Sequence, residues 1–186
     1  WNMEHIGELL ENISVVLPET VVWLGGPEVS SDSEEVLEKY PGVKGIMQWE
    51  GEDTFLRLMQ FYLGRQGMLQ EIPGIVFREK GQMIRGLPGN RECLSMDEIP
   101  FVYEDLSIFE NKIIYYESSR GCPFSCSYCL SSLDKRVRFR SFSLVQKELQ
   151  YFLDHKVPQV KFVDRTFNCS HSHAMQIWQY ILEHDN

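Results

Sequence analysis

The sequence predicts an α/β chain built as two successive units, and three observations carry that expectation. Short apolar runs alternate with amphipathic stretches of helical period. Glycines and prolines punctuate the junctions. The rhythm stops between residues 86 and 110, where Pro88, Gly89, Asn90 and Pro100 gather, and then resumes. The expected boundaries are therefore 1–85 for a first unit, 86–110 for a linker and 111–186 for a second.

Bulk composition bounds the function classes. The chain has 186 residues, 43% hydrophobic and 24% charged, ordinary values for a globular protein. No apolar run approaches the roughly 20 residues that span a bilayer, so no membrane role is expected. A formal charge of −9 argues against nucleic-acid binding, which needs a basic face. Clustered cysteines without a secretory signal suggest a reducing, cytoplasmic compartment and a metal rather than disulfides. The chain opens on Trp1, and its last helical pattern has no stop signal, so a fragment of a longer protein is expected.

In the first unit, Ile6, Leu9, Leu10 and Ile13 recur at helical spacing. "TVVWLGG" reads as a short buried strand ending on Gly25 and Gly26. "SDSEEVLEKY" reads as a helix with Ser31 and Glu34 as a capping box. "VKGIMQWEGED" is a strand running into a loop. The helix after it takes Asp53 as N-cap and Gly64 near its end. Strand, glycine loop, helix, strand, loop, helix is the order of an open parallel sheet. "GIVFREKGQMIRG" reads as a hairpin turning at Lys80 and Gly81. There is no internal repeat and no low-complexity segment.

The second unit begins with "KIIYYESS", a strand leading into a cysteine-rich loop. Phe142, Val145, Leu149 and Phe152 then share one helix face, with Ser143 and Gln146 as a capping box. "PQVKFVD" is the next strand and "HAMQIWQYILEH" the next helix. In parallel sheets, reactive groups collect at the C-terminal strand ends. Cys122 to Cys129 follow one such end and Asp164 the next, so the two should meet.

Three of the five cysteines, Cys122, Cys126 and Cys129, fall within "CPFSCSYC". Thiolates bind soft metals, and Gly121 and Pro123 supply the bend a short wrapping loop needs. Three thiolates can hold three corners of a cubane iron–sulfur cluster and leave the fourth iron open. A cluster built only for electron transfer usually takes four cysteines. Zinc is the rival, with Cys93, Cys169 or a histidine as fourth ligand.

The C-x3-C-x2-C spacing, with Tyr128 just before the last cysteine, resembles the signature of the radical S-adenosylmethionine (radical SAM) enzymes. That resemblance implies a partial TIM-like barrel and a 4Fe-4S cluster on Cys122, Cys126 and Cys129. It implies S-adenosylmethionine on the open iron, with Tyr128 and Asp164 among its contacts and the end of the Asp164 strand meeting the methionyl amine, while a helix-capping Asp in a βα loop is the plain alternative for Asp164. One electron then yields a 5′-deoxyadenosyl radical that takes hydrogen from a small-molecule substrate. A reductant such as flavodoxin or ferredoxin would supply the electron. An isolated fragment, with its barrel only begun, would be inactive.

"WLGGPEVS" ahead of such a loop is similar to the cobalamin-binding branch of this family. There the counterparts of Gly25 and Gly26 let the corrinoid's nucleotide tail pass close to the backbone. "WEGEDTF" resembles that branch's Gly-Glu-Gly-Glu segment, with Trp49 where the first glycine is usual. The D-x-H-x-x-G motif of some members would lie before Trp1. The fold implied is the C-terminal part of a Rossmann-like cobalamin-binding-type domain, followed by the first βα units of a radical SAM barrel. "RGCPFSCSYCLSSLDKRVRFRS" with "VKFVDRTFN" looks closest to an anaerobic group labelled after Mg-protoporphyrin IX monomethyl ester oxidative cyclase. The implied reactions are radical methylation and oxidative cyclisation. A corrinoid carrier without radical chemistry is a further alternative, although a carrier needs no three-thiol loop.

Other residues weigh toward ordinary roles. Thr166 and Asn168 share the Asp164 loop as weaker candidates. Arg120, Arg136, Arg138 and Arg140 read as a solvated face, or as a cradle for a carboxylate. Cys169, His171 and His173 read as a polar helix start ahead of a second metal site. Trp23, Trp49 and Trp178 read as core.

Overall fold

A computed structural model describes residues 2–65, 67–88, 94–133 and 136–184. The chain forms two compact units, Trp1–Cys93 and Leu94–Asn186.

The first unit is a four-stranded mixed sheet in the order β1-β2-β3-β4. Helix α1 (Met3–Val16) precedes β1 (Val22–Gly25). Two short helices, α2 (Pro27–Ser30) and α3 (Ser33–Lys39), lead to β2 (Val43–Met47), which runs parallel to β1. Helix α4 (Glu52–Tyr62) connects to the hairpin β3 (Ile75–Glu79) and β4 (Gln82–Arg85), added antiparallel on β2. The expected parallel order thus holds for β1 and β2 only. The hairpin turns at Lys80 and Gly81, φ 50° and 80°, the doubly left-handed turn that suits strand twist.

Side chains alternate across this sheet with period two. Ile46 and Val76 join Leu10, Val29 and Leu37 on one face. Ile75 and Phe77 join Leu58, Leu69 and Ile72 on the other. Gly45 is needed because the Trp23 indole lies over it: a Cβ there would meet the ring and, at 2.8 Å, the Phe77 Cβ. Helix α4 starts at Gly51 rather than Asp53, whose carboxylate instead pairs with Arg57 at 2.7 Å. Gly64 ends that helix as expected, its N–H and that of Arg65 bonding the Phe61 and Gln60 carbonyls. The Ser31–Glu34 capping box does not form. Helix α3 begins two residues later, and its Ser33 hydroxyl donates back to the Val29 and Ser30 carbonyls.

The second unit pairs β5 (Ile114–Tyr116) parallel to β8 (Val160–Phe162), with α5 (Phe142–Asp154) between them in sequence. Helix α6 (His171–His184) packs on α5 through Ile177 beside Leu149 and Phe152, and Tyr180 Oη donates to Gln150 at 2.7 Å. The predicted apolar face of α5 is present, with Val145, Leu149 and Phe152 buried. Its N-cap is Ser141, not Ser143, and the backbone N–H of Ser141 is taken by the Asp97 carboxylate at 2.7 Å.

A two-stranded ladder not foreseen from the sequence lies between β5 and α5. β6 (Ser119–Arg120) pairs antiparallel with β7 (Arg138–Phe139). The 94–110 part of the expected linker packs into this unit. Phe101, Tyr103, Leu106 and Phe109 lie on its core, and Met96 is buried. Residues 86 and 87 bond back to the first unit through Ile75, Gly74 and Gln70.

Beneath the ladder sits a buried ion pair. Arg140 donates to Glu148 from Nε at 2.8 Å and from Nη2 at 2.5 Å, and also to the Met96 and Ile99 carbonyls. Tyr116 Oη donates to Glu148 at 2.7 Å. Burial first, and the Glu148 bond second, push the Tyr116 phenol far above its ordinary range. Arg140 is therefore internal rather than part of a ligand cradle. Arg138 Nη1 donates to the Leu94 carbonyl, and Arg120 pairs with Glu117 at 2.7 Å.

Candidate functional site

In the second unit the loop carrying Cys122, Cys126 and Cys129 is strung between β6 and β7. Those strands pair at its base, so the loop leaves and returns at one point. The Arg140 N–H adds a 2.9 Å bond to the Ser118 carbonyl and lengthens this stem. Gly121 opens the loop at φ +106°, a conformation L-residues rarely adopt. A Cβ there would collide with the Arg136 carbonyl oxygen, so the two arms touch at Gly121.

Inside the loop the Cys129 N–H bonds the Cys126 carbonyl at 3.1 Å, turning the chain between those two thiols. Cys126 is exposed, and Cys122 and Cys129 are partly exposed. None of the three, nor Cys169, is joined in a disulfide among the described residues. Cys93 lies outside the described residues. Among the described residues no three His, Cys, Asp or Glu side chains stand close enough to form a ready metal cage. The donor chemistry fits an iron–sulfur cluster: three soft thiolates within eight residues on one open loop. Tyr128 is 89% exposed.

The expected meeting of the two strand ends is present. Cys122 Sγ lies 3.5 Å from Thr166 Oγ1 in the loop after β8. Asp164, in the same loop, caps no helix but grips the stem. Its Oδ1 accepts from the hydroxyls of Ser118 at 2.7 Å and Ser119 at 2.6 Å, and its Oδ2 accepts from the Ser118 N–H at 3.2 Å. Behind them His173, on α6, places Nε2 3.3 Å from Ser118 Oγ, with its ring against Phe139. Burial lowers the His173 pKa, and the Asp164 charge offsets this in part. Ser118 and Ser119 are the residues sequence reasoning missed, and His173, read there as part of a polar helix start, is instead buried against Ser118. The one available signal was "ESSR", two small hydroxyls between a strand end and the cysteines. Asn168 falls in a single turn, Phe167–Cys169.

In the first unit, Gly25 and Gly26 end β1, and a groove of about 270 Å³ is lined by Asn2, Met3, Ile6, Gly25, Gly26 and Pro27, among others. Gly26 has φ +103° and nothing within 4 Å of where a Cβ would sit, so its backbone is open to a close neighbour. That fits a ligand passing close over Gly26, whereas Gly25 is packed on the Met47 side chain. Ser30 and Gln48 lace this loop to the end of β2. Ser30 Oγ accepts from the Trp49 N–H at 3.1 Å and donates to the Gly26 carbonyl at 2.7 Å, while Gln48 Nε2 donates to the Ser30 carbonyl. Trp49 has φ +64° and is 52% exposed, so it is not core; the left-handed backbone there suits glycine. Trp178 is half exposed as well, against Phe162 and Phe167.

Among the described residues no helix is long and apolar enough to cross a membrane. No family model matches the chain. It is 31% identical over 176 residues to an uncharacterized methyltransferase of Pyrococcus horikoshii, covering 90% of this chain and 36% of that protein. It is 24% identical over 180 residues to the cobalamin-dependent radical SAM methyltransferase TokK of Streptomyces tokunonensis, covering 90% and 26%. To the anaerobic magnesium-protoporphyrin IX monomethyl ester cyclase of Synechocystis it is 29% identical over 118 residues, covering 61% and 23%.

Two solved structures share the fold. The cobalamin-dependent radical enzyme OxsB, with aqua-cobalamin and S-adenosylmethionine bound, superposes on 100% of this chain and 28% of its own, with TM-score 0.75 and 22% identity. The methyltransferase TsrM of Kitasatospora setae, with cobalamin and a [4Fe-4S] cluster bound, gives 0.68 at 17% identity over 98% and 37%. The chain thus spans about a quarter to a third of the length of most of these proteins. By sequence and fold together, it is similar to cobalamin-dependent radical SAM methyltransferases and to magnesium-protoporphyrin monomethyl ester cyclases.

Proposed function

We propose that the protein carrying this chain is a cobalamin-associated radical SAM enzyme that methylates a small-molecule substrate. The observation that carries the reading is the thiol loop, pinned by β6 and β7 beside Asp164 and Thr166. Oxidative cyclisation is the second reading, favoured by the likeness to the Synechocystis cyclase.

In this proposal Cys122, Cys126 and Cys129 hold a 4Fe-4S cluster. When bound, such a cluster supplies the single electron that cleaves S-adenosylmethionine reductively, and a flavodoxin or ferredoxin in the cytoplasm replenishes it. Asp164 holds the methionyl ammonium, since a carboxylate is the natural partner of a cation and one of its oxygens accepts a single bond from the described residues. Tyr128 offers an exposed ring face to the nucleoside. Gly26, with nothing within 4 Å of where a Cβ would sit, lets the corrinoid tail lie against bare backbone, and Gly25, packed on Met47, sets the strand end before it.

Anaerobic reconstitution of the whole protein tests this, with iron content and electron paramagnetic resonance of the reduced state. Adding S-adenosylmethionine should change the spectrum, and 5′-deoxyadenosine should form. Single alanine changes at Cys122, Cys126 and Cys129 should each abolish cleavage, while Cys93→Ala and Cys169→Ala keep cluster and cleavage. An unchanged spectrum, with metal lost from the Cys169 variant, would mean a fourth protein thiolate and would end the radical reading.

A further inference from the structure

We propose that Ser118 and His173 are positioning residues for S-adenosylmethionine, acting through Asp164. The inference rests on the reading of Asp164 as the ammonium partner.

Hydrogen-bond bookkeeping orders the network. A serine hydroxyl has one proton to give, and a carboxylate has none. Ser118 Oγ and Ser119 Oγ both lie within 2.7 Å of Asp164 Oδ1, so each donates its proton there. With its proton spent, Ser118 Oγ can only accept from His173, 3.3 Å away. That fixes His173 with its proton on Nε2. The chain of donation runs from His173 to Ser118 to Asp164.

The network has one geometric result. Among the described residues, Oδ1 takes two hydroxyls, whereas Oδ2 takes only the Ser118 N–H. The open acceptor capacity therefore sits on Oδ2, and the two oxygens cannot exchange without breaking all three bonds. Asp164 presents one defined oxygen to a cation. Ser118 is fully buried, and His173 is 7% exposed and held against Phe139. Neither can touch a ligand in the cysteine loop, and both act only through the carboxylate.

The test measures the dissociation constant of S-adenosylmethionine in the anaerobically reconstituted whole protein, with iron per chain measured beside it. Asp164→Asn should weaken binding roughly a hundredfold, Ser118→Ala roughly tenfold, and His173→Phe about fivefold, all at unchanged iron. His173→Gln places an amide N–H near the Nε2 position and should stay within about twofold of wild type. That rescue is the signature of a donor; a merely space-filling role would favour phenylalanine over glutamine. If Asp164→Asn weakens binding while Ser118→Ala and His173→Phe bind as wild type, the positioning inference falls and the reading of Asp164 stands. If Asp164→Asn binds normally, both fall, and the spectral response to S-adenosylmethionine still judges the enzyme class independently. If His173→Phe fails to fold, Ser118→Ala, which removes one oxygen, decides alone.

Discussion

Gly26 and Gly121 have nearly the same φ, +103° and +106°, at the loop that follows a strand in each unit. Their surroundings are opposite. Nothing lies within 4 Å of a Cβ at Gly26, whereas one at Gly121 would strike the Arg136 carbonyl. The first glycine leaves room for something outside the chain; the second lets the chain meet itself. The wider edges follow suit. The first is laced by neutral groups, Ser30, Ser33 and Gln48. The second is gripped by a carboxylate and rests on a buried ion pair.

The largest break in this contrast comes from under the second edge. Arg140→Met strands the Glu148 carboxylate in the interior and should cost about 4 kcal/mol. Glu34→Ala, which removes the exposed pair with Arg85 in the first unit, should cost a few tenths of a kcal/mol. Urea unfolding followed by hydrogen exchange in each unit would separate the two. Equal losses would refute the buried character of the Arg140 pair.

Gly121→Ala combines strain with a backbone collision and should cost about 3 kcal/mol. Iron loading should fall with it, although every thiol is intact. Gly26→Ala carries the strain alone, about 1 kcal/mol, and leaves the fold in place while weakening corrinoid uptake. Similar denaturation midpoints for the two variants would erase the distinction between them.

Trp49→Gly should do the reverse of both and stabilise the first unit by about 0.5 kcal/mol. Relief of the left-handed tryptophan there outweighs the extra freedom of glycine in the unfolded chain. A lower denaturation midpoint would show that the exposed indole makes contacts worth more than the strain.

The smallest effect is a pH dependence confined to the second unit. The pKa of His173 is lowered in the folded state by burial, with the facing Asp164 carboxylate opposing. The unfolded chain then binds the proton more readily, so stability is full above the unfolded value near 6.5 and declines as pH falls through the folded one. Denaturation midpoints from pH 7.5 to 5 should fall less steeply in His173→Gln than in wild type. Parallel slopes would remove His173 as the cause.

Legibility in the sequence followed the length scale of each signal. The face of α5 and the Lys80–Gly81 hairpin were readable because they rest on period and turn chemistry. The meeting of the cysteine and Asp164 loops was readable because parallel strands bring their ends together. Helix starts at Ser31, Asp53 and Ser143 were misplaced because short polar side chains had other partners: Asp53 chose Arg57, and Ser143 lies 3.3 Å from Ser141 Oγ. The β6/β7 stem has two residues a side, too few for alternation to register. Phe101, Tyr103, Leu106 and Phe109 belong to a core without any period, so their stretch read as a linker. Ser118 and His173 are 55 residues apart and acquire meaning only once α6 packs behind β5 and β6.

The closed stem turns metal capture into a problem of effective concentration. In the proposed cluster, once Cys122, Cys126 or Cys129 takes iron, the other two would search only the volume that the tethered loop can sweep. Each later bond is then nearly unimolecular, and the entropy of bringing the ends together has already been paid during folding. Loosening the stem lengthens the tether without removing a ligand. Loading would slow and loss would quicken for all three thiols at once, a kinetic signature that no single cysteine substitution can imitate.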